Sequence, residues 1–282
     1  MQRVRDVYGQ DFAKAKTSQD KAALARRLLQ VARDETKDLP ARFALLNSVA
    51  DLSADAGDLG TAFAAINELF KTFDVDRFTP KLRAGSVAIR AVKTGDQRRQ
   101  FAAAVEEMVG WSAWADRYDE AREFGRLAMG AARGDPPLLR RVSGRVKQAA
   151  ELQSLHAALA GARQTLIDDP ADAAANLAVG RFRCLVKGDW RHGLPLLAIG
   201  SDPGLRDTAT LDLKGASTAE EQVTVGDAWW AVAVRLSGVE QARAQAHAAA
   251  GGQESPPQQK GAIGAAALSR HADIPDRAAI GD

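Results

Sequence analysis

The chain has 282 residues, enough for one or two globular domains or for one extended stack of repeats. Lys and Arg (38) nearly balance Asp and Glu (36), so the net charge of +2 excludes a basic field for nucleic acid and an acidic tail. The single cysteine, Cys184, excludes an internal disulfide framework and a multi-cysteine metal site.

Of the residues, 46% are hydrophobic, but much of that share is Ala, the best helix former and a small one. Aromatics at 6% and scarce β-branched runs argue against a β-sandwich. The opening Met-Gln-Arg-Val-Arg-Asp-Val has no apolar core region of a secretory signal. No apolar run approaches the ~20 residues that span a bilayer. The chain as given is expected to be cytoplasmic and off the membrane. A secreted or cell-envelope location would follow if it is a fragment of a longer protein.

Helical periodicity then runs along the chain. Thr17-Ser18 reads as the N-cap of a helix whose face carries Leu24, Leu28 and Val31. Leu39-Pro40 opens the next, with Leu45, Val49 and Leu52 on one face and Phe43, Leu46 and Ala50 beside it. After Gly57 comes the cleanest stripe: Leu59, Ala62, Phe63, Ile66, Leu69, Phe70 and Phe73. These are expected to bury against the helix of Leu45 and Val49. Phe101, Val105 and Met108 mark another helix, and Ala121, Phe124 and Ala128 the one after it.

Past Asp135-Pro136-Pro137 the longest run reads Leu138, Val142, Val146, Ala149, Leu152, Leu155, Leu159, Ala162 and Leu166. It ends before Pro170, which pushes its predecessor out of the α region. Ala174, Ala178, Phe182 and Leu185 follow, then Val225, Trp229, Val232 and Leu236 after Gly215. Val239, Ala242, Ala246 and Ala249 form the last stripe. Residues 251–282, with Gly251-Gly252 and Pro256-Pro257, read as a Gly/Pro/Ala-rich tail holding at most one short capping helix over 264–271.

A short pattern recurs between the stripes: a small or polar residue, a polar one, a bulky one, two more, then Ala or Gly. It stands as Gly57-Asp58-Leu59-Gly60-Thr61-Ala62, as Asp116-Arg117-Tyr118-Asp119-Glu120-Ala121 and as Gly188-Asp189-Trp190-Arg191-His192-Gly193. It returns as Ser237-Gly238-Val239-Glu240-Gln241-Ala242 and, degenerately, from Gly95 to Gln100. Gly can close one helix at positive φ, and Asp can cap the next. The bulky residue packs back, and the small one lets two backbones come close. The pattern resembles the turn of tetratricopeptide (TPR) motifs. That resemblance implies an all-α, TPR-like stack of antiparallel helix hairpins, an α-solenoid, over residues 1–250. The fullest match, Gly180 to Trp190 with Pro203 beyond, has a Gly180-to-Gly188 spacing one residue too long and Gly193 in place of Ala. The segment from Gly188 to Trp230 also resembles helical regions appended to large bacterial multidomain proteins, which carry across no catalytic residues.

Chemical motifs are few. His156, His192, His247 and His271 are scattered and read as surface residues, so no metal is expected. Cys184 borders an apolar stripe and reads as a buried thiol rather than a nucleophile. Ser18-Gln-Asp-Lys21 and Lys93-Thr94-Gly95 match fragments of a serine-acylase signature, but no Ser-Asp-Asn lies between them and both fall at helix ends. No phosphate-cradling glycine loop occurs, so no cofactor is expected. Glu106-Glu107, Asp168-Asp169 and Glu220-Glu221 read as solvated faces and caps, as does the basic face of Arg140, Arg141, Arg145 and Lys147.

The tryptophans stand apart. Trp111 and Trp114 share a face, Trp190 opens a hairpin, and adjacent Trp229 and Trp230 differ by about 100° on a helix. Core packing is the default for each. The alternative makes Trp111, Trp114, Trp190 and Trp230 a candidate interaction surface. The expected function is a non-catalytic scaffold that binds a protein or peptide. The alternative is a structural spacer of a larger protein, without a ligand.

Overall fold

The computed structural model describes residues 2–250. The tail from Gly251, with the short helix expected in it, lies outside the described residues. The described residues are all-α: 80% of them are helical and none forms a strand. Helices adjacent in sequence pack on each other. No described helix is long and apolar enough to cross a membrane. The chain divides into two compact units between Ala150 and Glu151, within a helix.

The first unit holds α1 (Gln2–Lys14), α2 (Ser18–Asp34), α3 (Leu39–Ala56), α4 (Leu59–Thr72), α5 (Phe78–Ala88), α6 (Gly95–Trp114), α7 (Tyr118–Ala132) and the start of α8 (Pro136–Ala158). Helix starts follow local chemistry. Thr17 and Thr94 form capping boxes with Asp20 and Gln97, while Asp38 and Asp58 accept from the amides of Ala41 and Thr61. Each such cap contributes about 1 kcal/mol. Helix α3 is buried on several sides, through Leu45, Leu46, Val49, Ala50 and Leu52, because α2, α4 and α5 all pack on it.

Most of the α4 stripe is buried as its spacing predicts, but Phe70 is not: it is 46% exposed, and Phe73 is only half-buried. Glu106 also departs from expectation. It is buried, and its carboxylate accepts from the Arg141 guanidinium at 2.8 Å. A charge written off as a solvated face is here tied between α6 and α8.

The second unit contains α9 (Ala160–Asp168), α10 (Ala173–Arg181), a π-helical turn (Phe182–Lys187), α11 (Trp190–Leu197), α12 (Pro203–Leu213), α13 (Ala219–Ala233) and α14 (Gly238–Ala249). The long stripe expected to run unbroken from Leu138 to Leu166 is interrupted at Leu159, whose N–H bonds His156 O in a tight turn at 3.2 Å. Only Leu138, Val142 and Ala149 of α8 are buried, and no residue of α9 is. Periodicity specified a helix there, but not that anything covers it. In α14 the face is reversed. Ala244, His247 and Ala248 are buried, whereas Val239, Ala246 and Ala249 of the expected stripe are exposed.

The recurring turns share one construction. Gly57 (φ 79°), Asp116 (φ 60°) and Gly188 (φ 71°) take the left-handed conformation at the first position of their copies. The next N–H reaches back to a carbonyl: Asp58 to Ser53 at 2.9 Å, Arg117 to Ser112 at 2.8 Å, Asp189 to Arg183 at 2.7 Å. The first two bonds span five residues and the third spans six. The π-helical turn takes up the extra residue between Gly180 and Gly188, since its bonds run i to i+5. The other copies differ. Gly238, not Ser237, has the positive φ, and Gly95 is the first residue of α6 behind the Thr94 cap.

Candidate functional site

Two aromatic clusters contain the chemistry, one in each unit. In the first, α4 presents Phe63 and Phe70, seven residues apart and so on one side of the helix. The link to α5 then lays Arg77 over Phe70, with Asp76 just before it in the chain. Asp76 caps α5 by accepting from the N–H groups of Phe78 (3.2 Å) and Thr79 (3.0 Å), and it pairs with Arg117 at 3.0 Å. Burial alone would raise its carboxyl pKa, but the hydrogen bonds from Thr79, Phe78 and Arg117 hold it well below the usual range. Arg117 also bonds Glu120, and these contacts raise its own pKa.

Arg77 has a different environment. Its guanidinium carbon lies 4.8 Å from the ring centre of Phe78, 5.2 Å from Phe70 and 5.6 Å from Trp111. Burial lowers its pKa, with Asp76 opposing. One turn further along α5, Lys81 is only 6% exposed, with its ammonium 5.3 Å from the Phe63 ring centre. Burial first, and the charge of Arg77 second, push its pKa down to about 8. Phe70 is thus a shelf under Arg77 rather than a core residue, which accounts for its exposure.

The second cluster lies inside its unit. Asp212 Oδ2 accepts from the indole N–H of Trp229 at 2.8 Å and lies 2.7 Å from His247 Nε2. The imidazole stacks on Trp190 with centroids 3.7 Å apart and planes 8° off parallel, and Trp229 meets both rings edge-on. His247, expected at the surface, is therefore buried, which is why α14 turns the face it does. Cys184 is buried in the same core, and burial raises its thiol pKa far above the ordinary value. A thiol so protonated is a poor nucleophile.

The candidate tryptophans divide accordingly. Trp190, at 8% exposure, belongs to this core and is no part of a surface, which corrects its place in the candidate set. The stacking on His247 recruits it. Trp111 is half-buried beside Arg77, and Trp114 at the end of α6 is 38% exposed. Trp229 is fully buried, and its neighbour Trp230 is 51% exposed. Trp230 lines an open groove of about 460 Å³ between α13 and α14 with Val223, Gln222, Gly226, Asp227 and Ala248. A Cβ on Gly226 would come within 2.9 Å of the Ala248 carbonyl, so the two helices touch at its floor.

Sequence reasoning missed Arg77, Lys81 and the Asp212–His247 pair. Arg77 and Lys81 carried one readable signal, two cations four apart flanked by Phe70, Phe73 and Phe78. The pair 35 residues apart carried none. Ser18 and Thr94, the acylase-like fragments, stand at the starts of α2 and α6. Among the described residues no three His, Cys, Asp or Glu side chains gather to hold a metal. No protein-family model, curated protein or solved structure matches this chain.

Proposed function

We propose that the protein is a non-catalytic helical-repeat scaffold of TPR-like, α-solenoid kind that binds a protein or peptide. Three turns that each pair a left-handed residue with a next N–H bonded back to the preceding helix, and helices packed in chain order, support the repeat reading. The observation that carries the binding reading is Trp230. It is a large aromatic half in solvent beside exposed Val223, with the carboxylate of Asp227 at the edge of the same groove. Exposed aromatic anchors of this kind dominate interface energies. The fitting partner segment has an apolar side chain for the groove and a basic residue for Asp227.

A displayed-peptide selection on the full chain, with counter-selection on Trp230→Ala, tests the reading. Enriched peptides should carry that apolar–basic pattern and bind Trp230→Ala at least about tenfold more weakly. Peptides that bind both proteins equally, or no enrichment at all, would favour a structural spacer without a ligand.

A further inference from the structure

Arg77 and Lys81 are two cations on adjacent turns, a spacing that places both on one helix face. Among the described residues neither is ion-paired with a carboxylate. The carboxylates at hand are committed elsewhere: Asp76 to Arg117 and to two α5 amides, Glu120 to Arg117. The contacts of the two cations are aromatic, with Phe70, Phe78 and Trp111 around Arg77 and Phe63 under Lys81. Lys81 as a residue is only 6% exposed, and the contact its ammonium makes is a ring, so the strong donors of that head group are unused beside a largely apolar surround. Such donors gain most from an anion.

We infer that Arg77 and Lys81 form a phosphate-binding site, walled by Trp111 and Phe70. The inference concerns the first unit and is independent of the groove at Trp230. Arg117, Asp76 and Glu120 together contribute one negative charge, so with Arg77 and Lys81 the cluster keeps one net positive charge. Phosphate supplies both mono- and dianion near neutral pH, and its tetrahedral oxygens can serve a planar guanidinium fork and a separate ammonium at once. A carboxylate is fully engaged by the guanidinium alone. The lowered pKa of Lys81 agrees with a site missing its counter-charge.

Calorimetric titration of the full chain with inorganic phosphate, phenyl phosphate and acetate tests this, alongside Lys81→Met and Arg77→Gln. The expected result is binding of a phosphate species below about 10 mM, weakened about tenfold or more in either variant whose circular dichroism matches wild type. Phenyl phosphate binding roughly tenfold tighter than inorganic phosphate identifies a monoester ligand, its ring on Trp111 and Phe70; equal affinities identify the free ion. Should one variant fail to fold, the other decides, together with a phosphate-dependent rise in the wild-type melting midpoint. Absence of binding, binding unchanged in both variants, or acetate binding as tightly as phosphate would overturn the inference.

Discussion

Lys81→Met should stabilise the protein. Methionine keeps an unbranched stem against Phe63 and removes the charge. In the folded state the ammonium pKa falls from its ordinary 10.5 to about 8, first through burial and then through Arg77. At about 1.4 kcal/mol per pH unit, holding that charge in the folded state near neutral pH costs about 3 kcal/mol. The cation–π contact with Phe63 offsets about 1–2 kcal/mol of this, and a methionine sulfur on the same ring replaces part of what is lost. The net expectation is a variant more stable than wild type by about 1–3 kcal/mol near pH 7. The sign with pH follows from proton counting. The folded pKa lies below the unfolded one, so between about pH 8 and 10.5 the unfolded chain binds the extra proton. The penalty is fully present below about 8 and disappears as pH rises toward 10.5, so wild type closes the gap across that window. Urea unfolding of both proteins, followed by circular dichroism near pH 7 and near pH 10, measures it. A variant less stable than wild type at the lower pH, or a difference that does not shrink at the higher one, would refute the reasoning.

Two further substitutions probe the second unit. Asp212→Ala strands two buried donors, the Trp229 indole and His247, and should lower stability by about 2–5 kcal/mol in urea unfolding, with a Trp fluorescence change. A loss under about 1 kcal/mol would show that the carboxylate does not hold the cluster. Gly193→Ala installs the residue a TPR turn normally has, yet its Cβ would lie 2.4 Å from Cys184 Sγ and 2.9 Å from the Cys184 backbone nitrogen. It should therefore destabilise by about 1–3 kcal/mol, read as a lower thermal midpoint, and a neutral result would mean the π-helical turn yields easily.

Most of the helices, though not α1, α5 or α12, and three of the hairpin turns were legible because both are local. A residue three or four positions away lies on the same face whatever the rest of the chain does, so the stripes of α3, α4, α6 and α7 read out directly. Gly57 and Gly188 announced their turns because left-handed backbone is nearly free for glycine. At Asp116 the same conformation is held by a side chain that tolerates it. The one-residue surplus between Gly180 and Gly188 was also visible as a spacing, but its resolution as a π-helical turn was not.

Which face of a helix is covered was decided only in three dimensions. Alanine-rich α14 has almost no apolar contrast around its circumference, so its orientation came from His247 finding Asp212 and Trp190 on distant segments. Phe70 is spaced like a core residue, and it instead supports Arg77 because the α4–α5 link lays that guanidinium across it. Lys81 reads in sequence as an ordinary surface lysine. Only the convergence of Phe63, Arg77 and the neighbouring helices removes it from water and lowers its pKa. Sequence by itself determined the helical class, the caps and three of the turns, whose energies depend on a few adjacent residues. Tertiary structure decided which polar groups are buried, because desolvation and pairing depend on side chains that the chain separates by tens of positions.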